Sequence, residues 1–399
     1  MGIQLSDRIK SIKPSPTLAV TARAAELKAA GIDIIGLGAG EPDFATPQHI
    51  KEAAIAAINA GFTHYTAVDG ILELKQAIIS KLTRDNGLDY KPEQILVSCG
   101  AKHSIFNLMQ AVLNPGDEVL IPAPYWVSYP DIALLCGAKP VVIYADIEQR
   151  FKITAQQLEQ AITPKTKMLV LNSPSNPTGI AYSNEELAAL GKVLLKYPDI
   201  LILSDDIYEH ILWAKFSFAN IVMACPELYA RTVVINGVSK SYAMTGWRIG
   251  YAAGPEALIK AMHKMQSQST SNACSISQKA AVAAINGDQS CIYLMNAEFQ
   301  KRHDFVLEEL NSMSGIQCLD ADGAFYVFFK VQELIDTLAI DGVTNDTEFA
   351  EYLINKAGLA LVPGVAFGAP GYLRASVATS MDILREAMRR LRAVTEKIS

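Results

Sequence analysis

A single lysine, Lys240, lies in a loop of small residues between two apolar segments. Residues 232–235 form the first predicted strand, and residues 249–253 form the second, directly after Arg248. Ligands of open α/β sheets bind in the crevice beyond the carboxyl ends of the strands. A lysine there can attack a carbonyl carbon once it has lost its proton, which desolvation and a neighbouring cation favour. Because the arginine can hold a phosphate, the pair predicts a ligand with both groups, such as pyridoxal phosphate.

The elements that must position these residues alternate along the middle of the chain. Apolar strands are predicted at residues 94–98, 118–121, 168–172, 200–204, 232–236 and 249–253, with helical periodicity between several of them, as over 184–197. This alternation predicts an α/β fold with a mainly parallel, doubly wound sheet. A helix over 297–313, a strand pair around 323–330 and 358–363, and a last helix over 381–397 predict a smaller α+β domain.

Composition limits the possible functions. The chain has 399 residues, of which 50% are hydrophobic and 19% charged, with a net charge of −6. Scattered basic residues argue against nucleic acid or an anionic membrane as a partner. The cysteines show neither CxxC spacing nor a cluster with histidine, so we expect reduced thiols, no metal site and a cytoplasmic protein. The first six residues match the minimal myristoylation pattern, but so few fixed residues match by accident, and we do not predict lipidation.

A glycine-rich segment at residues 36–40 resembles a dinucleotide-binding loop only superficially. The GxGxxG pattern requires glycine at position 41, where the sequence has Glu41. Pro42 and Pro47 also interrupt the helix that should follow such a loop. The sequence therefore argues against a nicotinamide-dependent dehydrogenase.

Two further segments place polar residues at predicted strand ends. Gly100, Ala101 and Lys102 follow the strand at 94–98 and precede a helix that begins near Ile105, and a helix N-terminus can bind an anion. Asp205 follows the strand at 200–204, where a buried carboxylate would raise the pKa of a nearby cationic nitrogen. Taken alone, each segment is more typical of an ordinary turn or helix cap than of a binding site.

Taken together, these segments resemble the class I aminotransferases, pyridoxal phosphate enzymes of fold type I, and most closely the bacterial-type aspartate aminotransferases. The resemblance begins at residues 13–17, continues through 65–70, 124–129, 172–179, 204–208 and 236–248, and ends at 373–376. It implies a large cofactor-binding domain over 48–300, and a small domain formed by 1–47 and 301–399. It also implies a homodimer.

The resemblance assigns a cofactor role to a set of residues. Lys240 would carry the pyridoxal phosphate, Asp205 would contact its ring nitrogen, and Tyr208 and Asn176 its phenolic oxygen. The phosphate would be held by Gly100, Ala101, Lys102, Ser239 and Arg248, and by Tyr65 of the other subunit, while Trp126 would lie beside the ring. Relatives often have serine where this chain has Gly237, so Ser239 is expected to supply the hydroxyl.

The same comparison assigns a substrate role to a second set. Arg374 would bind the α-carboxylate as a bidentate partner, helped by the backbone of Gly40 and by Trp126 and Asn176. Lys102, and more weakly Lys13, would bind the distal carboxylate. These roles predict transfer of the amino group of L-aspartate to 2-oxoglutarate by ping-pong kinetics, with prephenate as a further substrate. An aromatic-type aminotransferase and a carbon–sulfur β-lyase on the same fold remain alternatives. A regulator that only binds the cofactor would carry a DNA-binding extension, for which the match leaves no room.

Overall fold

The structure is a computed structural model that describes residues 3–14, 16–340 and 342–396. Met1 and Gly2, on which the myristoylation pattern depends, lie outside the described residues, as does Lys397, the predicted end of the last helix.

The strands group into three sheets. In chain order the strands are β1 (Ile35–Gly36), β2 (Ile95–Ser98), β3 (Glu118–Ala123), β4 (Lys139–Tyr144), β5 (Thr166–Asn172), β6 (Leu201–Asp205), β7 (Thr232–Gly237), β8 (Gly250–Ala253), β9 (Gln317–Cys318), β10 (Tyr326–Lys330), β11 (Leu359–Ala360), β12 (Val362–Pro363) and β13 (Tyr372–Ser376).

The helices cover both faces of the largest sheet and surround the smaller ones. In chain order they are α1 (Asp7–Lys10), α2 (Pro16–Ala29), α3 (Gln48–Asn59), α4 (Leu72–Asn86), α5 (Ala101–Val112), α6 (Ser128–Leu135), α7 (Ala155–Ala161), α8 (Asn184–Leu194), α9 (Ile221–Ala224), α10 (Glu256–Ser267), α11 (Ser275–Asn286), α12 (Ser290–Asn311), α13 (Gln332–Leu338), α14 (Asp346–Lys356) and α15 (Met381–Thr395). Among the described helices, none combines the length and the apolar character that crossing a membrane requires.

The largest sheet has the strand order β2-β8-β7-β6-β5-β3-β4. Neighbours from β7 to β4 pair in parallel, and β8 pairs antiparallel with both β7 and β2. The predicted α/β fold with a mainly parallel sheet is therefore confirmed. The sequence did not predict β4, because this edge strand leaves Val142 and Tyr144 exposed and so lacks a continuous buried run.

Each central strand is buried on both faces, which explains its uninterrupted apolar sequence. Along β6, Ile202 belongs to the core beneath α3, α4, α8 and α11, whereas Leu203 belongs to the core beneath α5, α6 and α10. Successive side chains of a strand point to opposite faces, so one apolar run supplies both cores. The carboxyl ends of these strands are thereby held in a fixed row.

The predicted strand pair near the C-terminus is wrong in its pairing. β10 pairs with β13 and β9, whereas the segment around 358–363 divides into β11 and β12, which lie in different sheets. β11 pairs with β1, where Ile35 lies opposite Leu359. Because that partner comes from the opposite end of the chain, no local pattern could indicate it. The pairing also joins the segment around Ile35 to the C-terminal part of the chain. The domain boundaries at residues 47 and 300 stay a prediction.

Two predicted helices differ from the structure at their ends. The helix predicted over 184–197 ends at Leu194, and it begins at the expected place because Ser183 and Glu186 form a capping box. The helix predicted over 297–313 begins earlier, at Ser290. Ile292 and Met295 continue the buried helical periodicity there, so the first turns pack on the core as the later ones do.

Candidate active site

Lys240 lies just beyond the end of β7, at the carboxyl edge of the largest sheet. Its Nζ donates a hydrogen bond to the carbonyl oxygen of Gly40 and lies 5.9 Å from the centre of the Phe325 ring. Burial lowers the pKa of Lys240 to about 8, opposed by the charge of Glu41 and assisted by that of Arg248. A lysine in this range loses its proton at small cost near neutral pH, as a nucleophile or general base must.

Asp205 is the last residue of β6, and its carboxylate faces the same space as Lys240. The Tyr129 hydroxyl donates to its Oδ2 over 2.6 Å, and the Ile207 N–H donates to its Oδ1 over 3.3 Å. Burial raises the pKa of Asp205 to about 6, while these two hydrogen bonds and the charge of Lys240 lower it in part. A buried carboxylate held in this way can keep a cationic ring nitrogen protonated.

Hydrogen bonds connect Asp205 to the other polar residues of the site. The side chain of Asn172 donates to the Asp205 carbonyl over 2.9 Å, and its Oδ1 accepts from the N–H of Asn176 over 2.9 Å. The hydroxyls of Tyr208 and Tyr326 lie 2.9 Å apart. Tyr208 and Asn176 therefore reach the same space from two different loops that follow β6 and β5.

Arg374, on β13, is almost completely buried. Its Nη1 donates to Asn176 Oδ1 and its Nη2 to the Gly38 carbonyl, each over 2.8 Å, and its guanidinium lies 4.5 Å from the centre of the Tyr326 ring and 4.9 Å from that of Phe367. Its Nε has no hydrogen-bond partner in the described part of the chain. A buried charged donor without a partner is costly, which indicates a site for an anionic ligand.

Gly100 precedes α5 and brings that helix close to a second guanidinium. Its φ of 91° lies in the region that favours glycine, and a Cβ there would lie 2.3 Å from Nη2 of Arg248. Arg248 donates to the carbonyls of Thr245 and Cys99 over 2.7 and 3.3 Å. The first N–H groups of a helix have no partners within it, so α5 and Arg248 together present donors to an anion.

Lys102 lies in the first turn of α5, with its Nζ 4.8 Å from the centre of the Trp126 ring. Burial, assisted by the charge of Arg248, lowers the pKa of Lys102. Trp126 also packs edge-on against Tyr129, with ring centres 5.2 Å apart. A second cation therefore borders the site at a different place from Arg374.

These residues surround one cavity of about 290 Å³. Of the residues predicted for the site, those that line it are Gly40, Ala101, Lys102, Trp126, Asn176, Asp205, Tyr208, Ser239, Lys240, Arg248 and Arg374. Gly100 does not line the cavity, but its lack of a side chain leaves room for the Arg248 guanidinium. Tyr65 is 91% exposed and Lys13 is exposed with its charge acting on Asp131, so neither residue reaches the cavity of its own chain.

Close packing of β7 against β8 accounts for glycine rather than serine at position 237, the last residue of β7. A Cβ on Gly237 would lie 2.9 Å from the carbonyl oxygen of Ile249 and 3.0 Å from the Cα of Gly250. A side chain would therefore crowd β8. Ser239 is buried and lines the cavity, and its hydroxyl contact to a phosphate stays a prediction.

Several residues of the site were not predicted from the sequence. Tyr129 and Tyr326 are the nearest partners of Asp205 and Tyr208, and Thr17 and Leu18 line the cavity from α2. Tyr129 lies in the first turn of α6, and its contact with Asp205, 76 positions further along the chain, has no local signal in the sequence. Tyr326 and α2 reach the site only through tertiary packing, for which the sequence offers no local signal.

One group of potential metal ligands lies outside this cavity. His303, Asp304 and Asp320 come together in the described part of the chain. However, the ring nitrogens of His303 are both engaged, by Asp304 over 3.1 Å and by the Ala321 N–H over 3.2 Å. This arrangement accounts for the group without a metal ion.

A lysine at a strand end, a buried carboxylate and two guanidinium groups around one cavity define a fold type I aminotransferase when they occur on this α/β fold. The chain belongs to the family of class I and II aminotransferases, whose family model matches residues 32–391.

Comparison with known proteins supports this assignment along the whole chain. An aspartate/prephenate aminotransferase of Nitrosomonas europaea is 60% identical over 98% of this chain and 99% of its own, and one of Cereibacter sphaeroides is 53% identical over 99% of both. The crystal structure of the aspartate aminotransferase of Rhizobium meliloti is 49% identical, with a TM-score of 0.96 and full coverage of both chains. That of Thermus thermophilus, solved with maleate, is 41% identical, with a TM-score of 0.92 over 98% of this chain and 100% of the other.

Proposed function

We propose that this aminotransferase transfers the amino group of L-aspartate to 2-oxoglutarate with pyridoxal phosphate as cofactor, and that it also uses prephenate. The observation that carries the proposal is the pair of cations at one cavity. The buried Nε of Arg374 has no partner among the residues that the structure describes. Lys102 lies over the Trp126 ring at another part of the cavity wall. Aspartate, 2-oxoglutarate and prephenate each carry two carboxylates, and the Thermus relative was solved with maleate, a dicarboxylate.

The residues around the cavity fit pyridoxal phosphate. Lys240 would hold the aldehyde carbon, and the α5 N-terminus with Ser239 and Arg248 would hold the phosphate. Gly100 supports this role because any side chain at its position would fill the space beside the Arg248 guanidinium. Asp205 is suited to the ring nitrogen, while Tyr208 and Asn176 are suited to the phenolic oxygen. When bound, the cofactor supplies an electron sink for the charge that develops at the substrate α-carbon.

The chain itself supplies proton transfer and orientation. Lys240, with its pKa lowered to about 8, can take the proton from the substrate α-carbon through Nζ. Arg374 fixes the α-carboxylate, because its planar guanidinium can donate two parallel hydrogen bonds. The guanidinium is already held between the Tyr326 and Phe367 rings, so little conformational freedom is lost when substrate binds.

We further propose a homodimer in which Tyr65 contacts the phosphate of the partner subunit. Its exposed side chain would then be covered in the assembly. We also propose a large domain over 48–300 and a small domain over 1–47 and 301–399. The six cysteines are all free thiols, which supports a cytoplasmic location.

The absorbance spectrum of the purified protein, loaded with pyridoxal phosphate, tests the function. L-Aspartate should convert the lysine-bound form of the cofactor to the pyridoxamine form at a concentration at least tenfold below that needed for L-phenylalanine. Prephenate should return the pyridoxamine form to the starting spectrum. Conversion by phenylalanine alone would identify an aromatic-type enzyme, and pyruvate release from cystathionine would identify a β-lyase.

Two variants make this test specific. Lys240→Ala should abolish turnover while leaving the secondary structure intact, and retained transamination would contradict the proposal. Lys102→Met should raise KM for aspartate by about 10- to 100-fold, since a charged hydrogen bond is worth ~1.5–3 kcal/mol. Lys167→Met is the matched control. Lys167 belongs to β5 and does not line the cavity, so this substitution should leave KM unchanged.

A further inference from the structure

Glu209 lies on the reverse side of the segment that carries Asp205 and Tyr208. Its side chain is buried, and every carboxylate oxygen has a donor. The Asn236 side chain donates to Oε1 over 2.8 Å, and the Asn86 side chain donates to Oε2 over 3.0 Å. None of these contacts faces the cavity, because Glu209 does not line it.

Lys81 neutralises this carboxylate. Its Nζ forms an ion pair with Glu209 and donates to Asn86 Oδ1 over 2.8 Å, and both members of the pair have side chains only 3% exposed. Burial alone would raise the pKa of Glu209, but the charge of Lys81 and the hydrogen bonds from Lys81 and Asn86 lower it to about 2. Glu209 is therefore ionised at neutral pH.

A buried ion pair of this kind needs an explanation other than stability. Desolvating two charges costs about as much as their attraction returns, so apolar side chains of similar volume would often serve as well. What apolar side chains cannot do is fix one geometry through directed hydrogen bonds. The pair therefore suggests a need for a defined arrangement at this place.

The contacts of Glu209 join the two segments that meet at the cavity. Asn236 belongs to β7, the strand that leads into Lys240, and its Oδ1 accepts from the Gly237 N–H over 2.7 Å. The backbone repeats the connection, since the Asp206 N–H donates to the Ile235 carbonyl and the Glu209 N–H to the Asp206 carbonyl, each over 2.9 Å. A shift of Glu209 would thus move the segment that carries Asp205 and Tyr208 relative to β7.

We propose that Glu209, neutralised by Lys81 and bonded to Asn236, is a positioning residue that sets Asp205 and Tyr208 relative to Lys240. The inference rests on the proposed function, because it concerns the geometry of the proposed catalytic groups. Glu209 itself touches neither substrate nor cofactor, and it acts through the turn and through β7.

The test uses the double variant Lys81→Met/Glu209→Gln in the cofactor-loaded enzyme. Removing both charges avoids an unpaired buried lysine, so the double variant should fold and melt close to the native temperature. Its kcat should nevertheless fall by about 10- to 100-fold, the effect of a small misplacement of catalytic groups, with KM for aspartate changed less than about threefold. The pH at which the bound cofactor absorbance titrates should shift as well, because Asp205 moves relative to the ring.

The matched control is Glu118→Gln/Lys139→Met, which removes a paired, mostly buried glutamate at the other end of the sheet. This control should keep native kcat and native titration. Asn236→Leu removes the donor from β7 to Glu209 while keeping the ion pair. Its kcat loss should not add to that of the double variant, since both act on the connection between Glu209 and β7.

The outcomes separate the inference from the proposed function. If the double variant melts normally with native kcat and native titration, Glu209 is only structural and the inference is overturned. The inference is also overturned if every variant that melts at the native temperature has the native kcat. If instead the native protein neither binds pyridoxal phosphate nor transaminates, the proposed function fails first.

Discussion

At the scale of single residues, the hydroxyl of Tyr129 lowers the pKa of Asp205 and so opposes the effect of burial. Asp205 is buried, and burial alone favours its neutral form. A neutral carboxyl group could not attract the proton of a ring nitrogen. The 2.6 Å hydrogen bond from Tyr129 stabilises the carboxylate and thereby lowers its pKa toward about 6. The ionisation of Asp205 thus depends on a neighbouring hydroxyl as well as on its own burial.

Tyr129→Phe should move the acid limb of the pH profile upward. The substitution keeps the ring that packs against Trp126 but removes the hydroxyl. Without that hydrogen bond the pKa of Asp205 rises, so Asp205 takes up its proton at a higher pH and activity is lost earlier as pH falls. A hydrogen bond to a charged group is worth ~1.5–3 kcal/mol, which corresponds to a shift of about one unit or more.

The profile of kcat/KM for aspartate between about pH 5 and 9 measures this effect. Tyr125→Phe removes a neighbouring hydroxyl that does not contact Asp205 and should leave the profile unchanged. An unshifted acid limb in Tyr129→Phe would show that the hydroxyl does not control Asp205.

At the scale of elements, the reversed strand β8 brings α5 to the site. A Cβ on Gly250 would lie 2.2 Å from the Ala101 nitrogen and 2.4 Å from the Gly100 carbonyl carbon. The N-terminus of α5 therefore reaches its position only because β8 begins with glycine. The proposed phosphate site thus depends on a residue with no side chain of its own.

Gly250→Ala should weaken cofactor binding more than it weakens the fold. The methyl group pushes the α5 N-terminus away from Arg248, and we expect the Kd for pyridoxal phosphate to rise by at least about tenfold, or ~1.4 kcal/mol. Equilibrium dialysis of the apo-protein measures the Kd. Gly246→Ala is the control, because a Cβ there meets no atom within 4 Å and its φ is not in the positive range. Equal Kd values for both variants would contradict this account.

Much of the fold and part of the site could be predicted at this scale. Strands β2, β3, β5, β6, β7 and β8 are buried on both faces, so their apolar runs identified them. Asp205 ends such a strand, and Lys240 and Lys102 follow two others, which made their convergence predictable from the sheet alone. Arg374 and Tyr326 reach the cavity from a different sheet, and only the family resemblance, which covered Arg374, could place one of them. β4, Tyr129 and the β1–β11 pairing depend on exposure or on distant partners that no local pattern contains.

At the scale of the whole molecule, Tyr65 is a predicted site residue that does not line the cavity of its own chain. Its side chain is 91% exposed, yet the loop that carries it is firmly anchored. The fully buried Gln278 accepts from the Ile71 N–H over 2.8 Å and donates to Thr66 over 3.0 Å, while Gln266 donates to the Val68 carbonyl over 2.7 Å. A fixed loop with an exposed aromatic tip is suited to reach another subunit.

Mixing an inactive chain with a chain whose cofactor binding is weakened tests this arrangement. Lys240→Ala removes the proposed nucleophile, and Tyr65→Phe weakens the phosphate contact that the partner receives. A mixed dimer would contain one site with both native residues, so equal mixing should recover about a quarter of the native sites. The measurement is activity after subunit exchange at limiting pyridoxal phosphate.

The control mixes Lys240→Ala with a chain that carries Lys240→Ala and Tyr65→Phe together, and it should recover nothing. If the activity of the first mixture does not exceed the summed activities of its two components, Tyr65 acts in the site of its own chain or in neither site.

The hydrogen bond from Arg374 to the Gly38 carbonyl spans 336 positions of the chain, and that from Lys240 to the Gly40 carbonyl spans 200. Contacts between such distant positions require the closure of long loops, and folds that depend on non-local contacts form more slowly than folds built from local ones. Helices and neighbouring strands can therefore be native while the cavity does not yet exist. When the chain refolds, recovery of cofactor binding should therefore follow recovery of secondary structure.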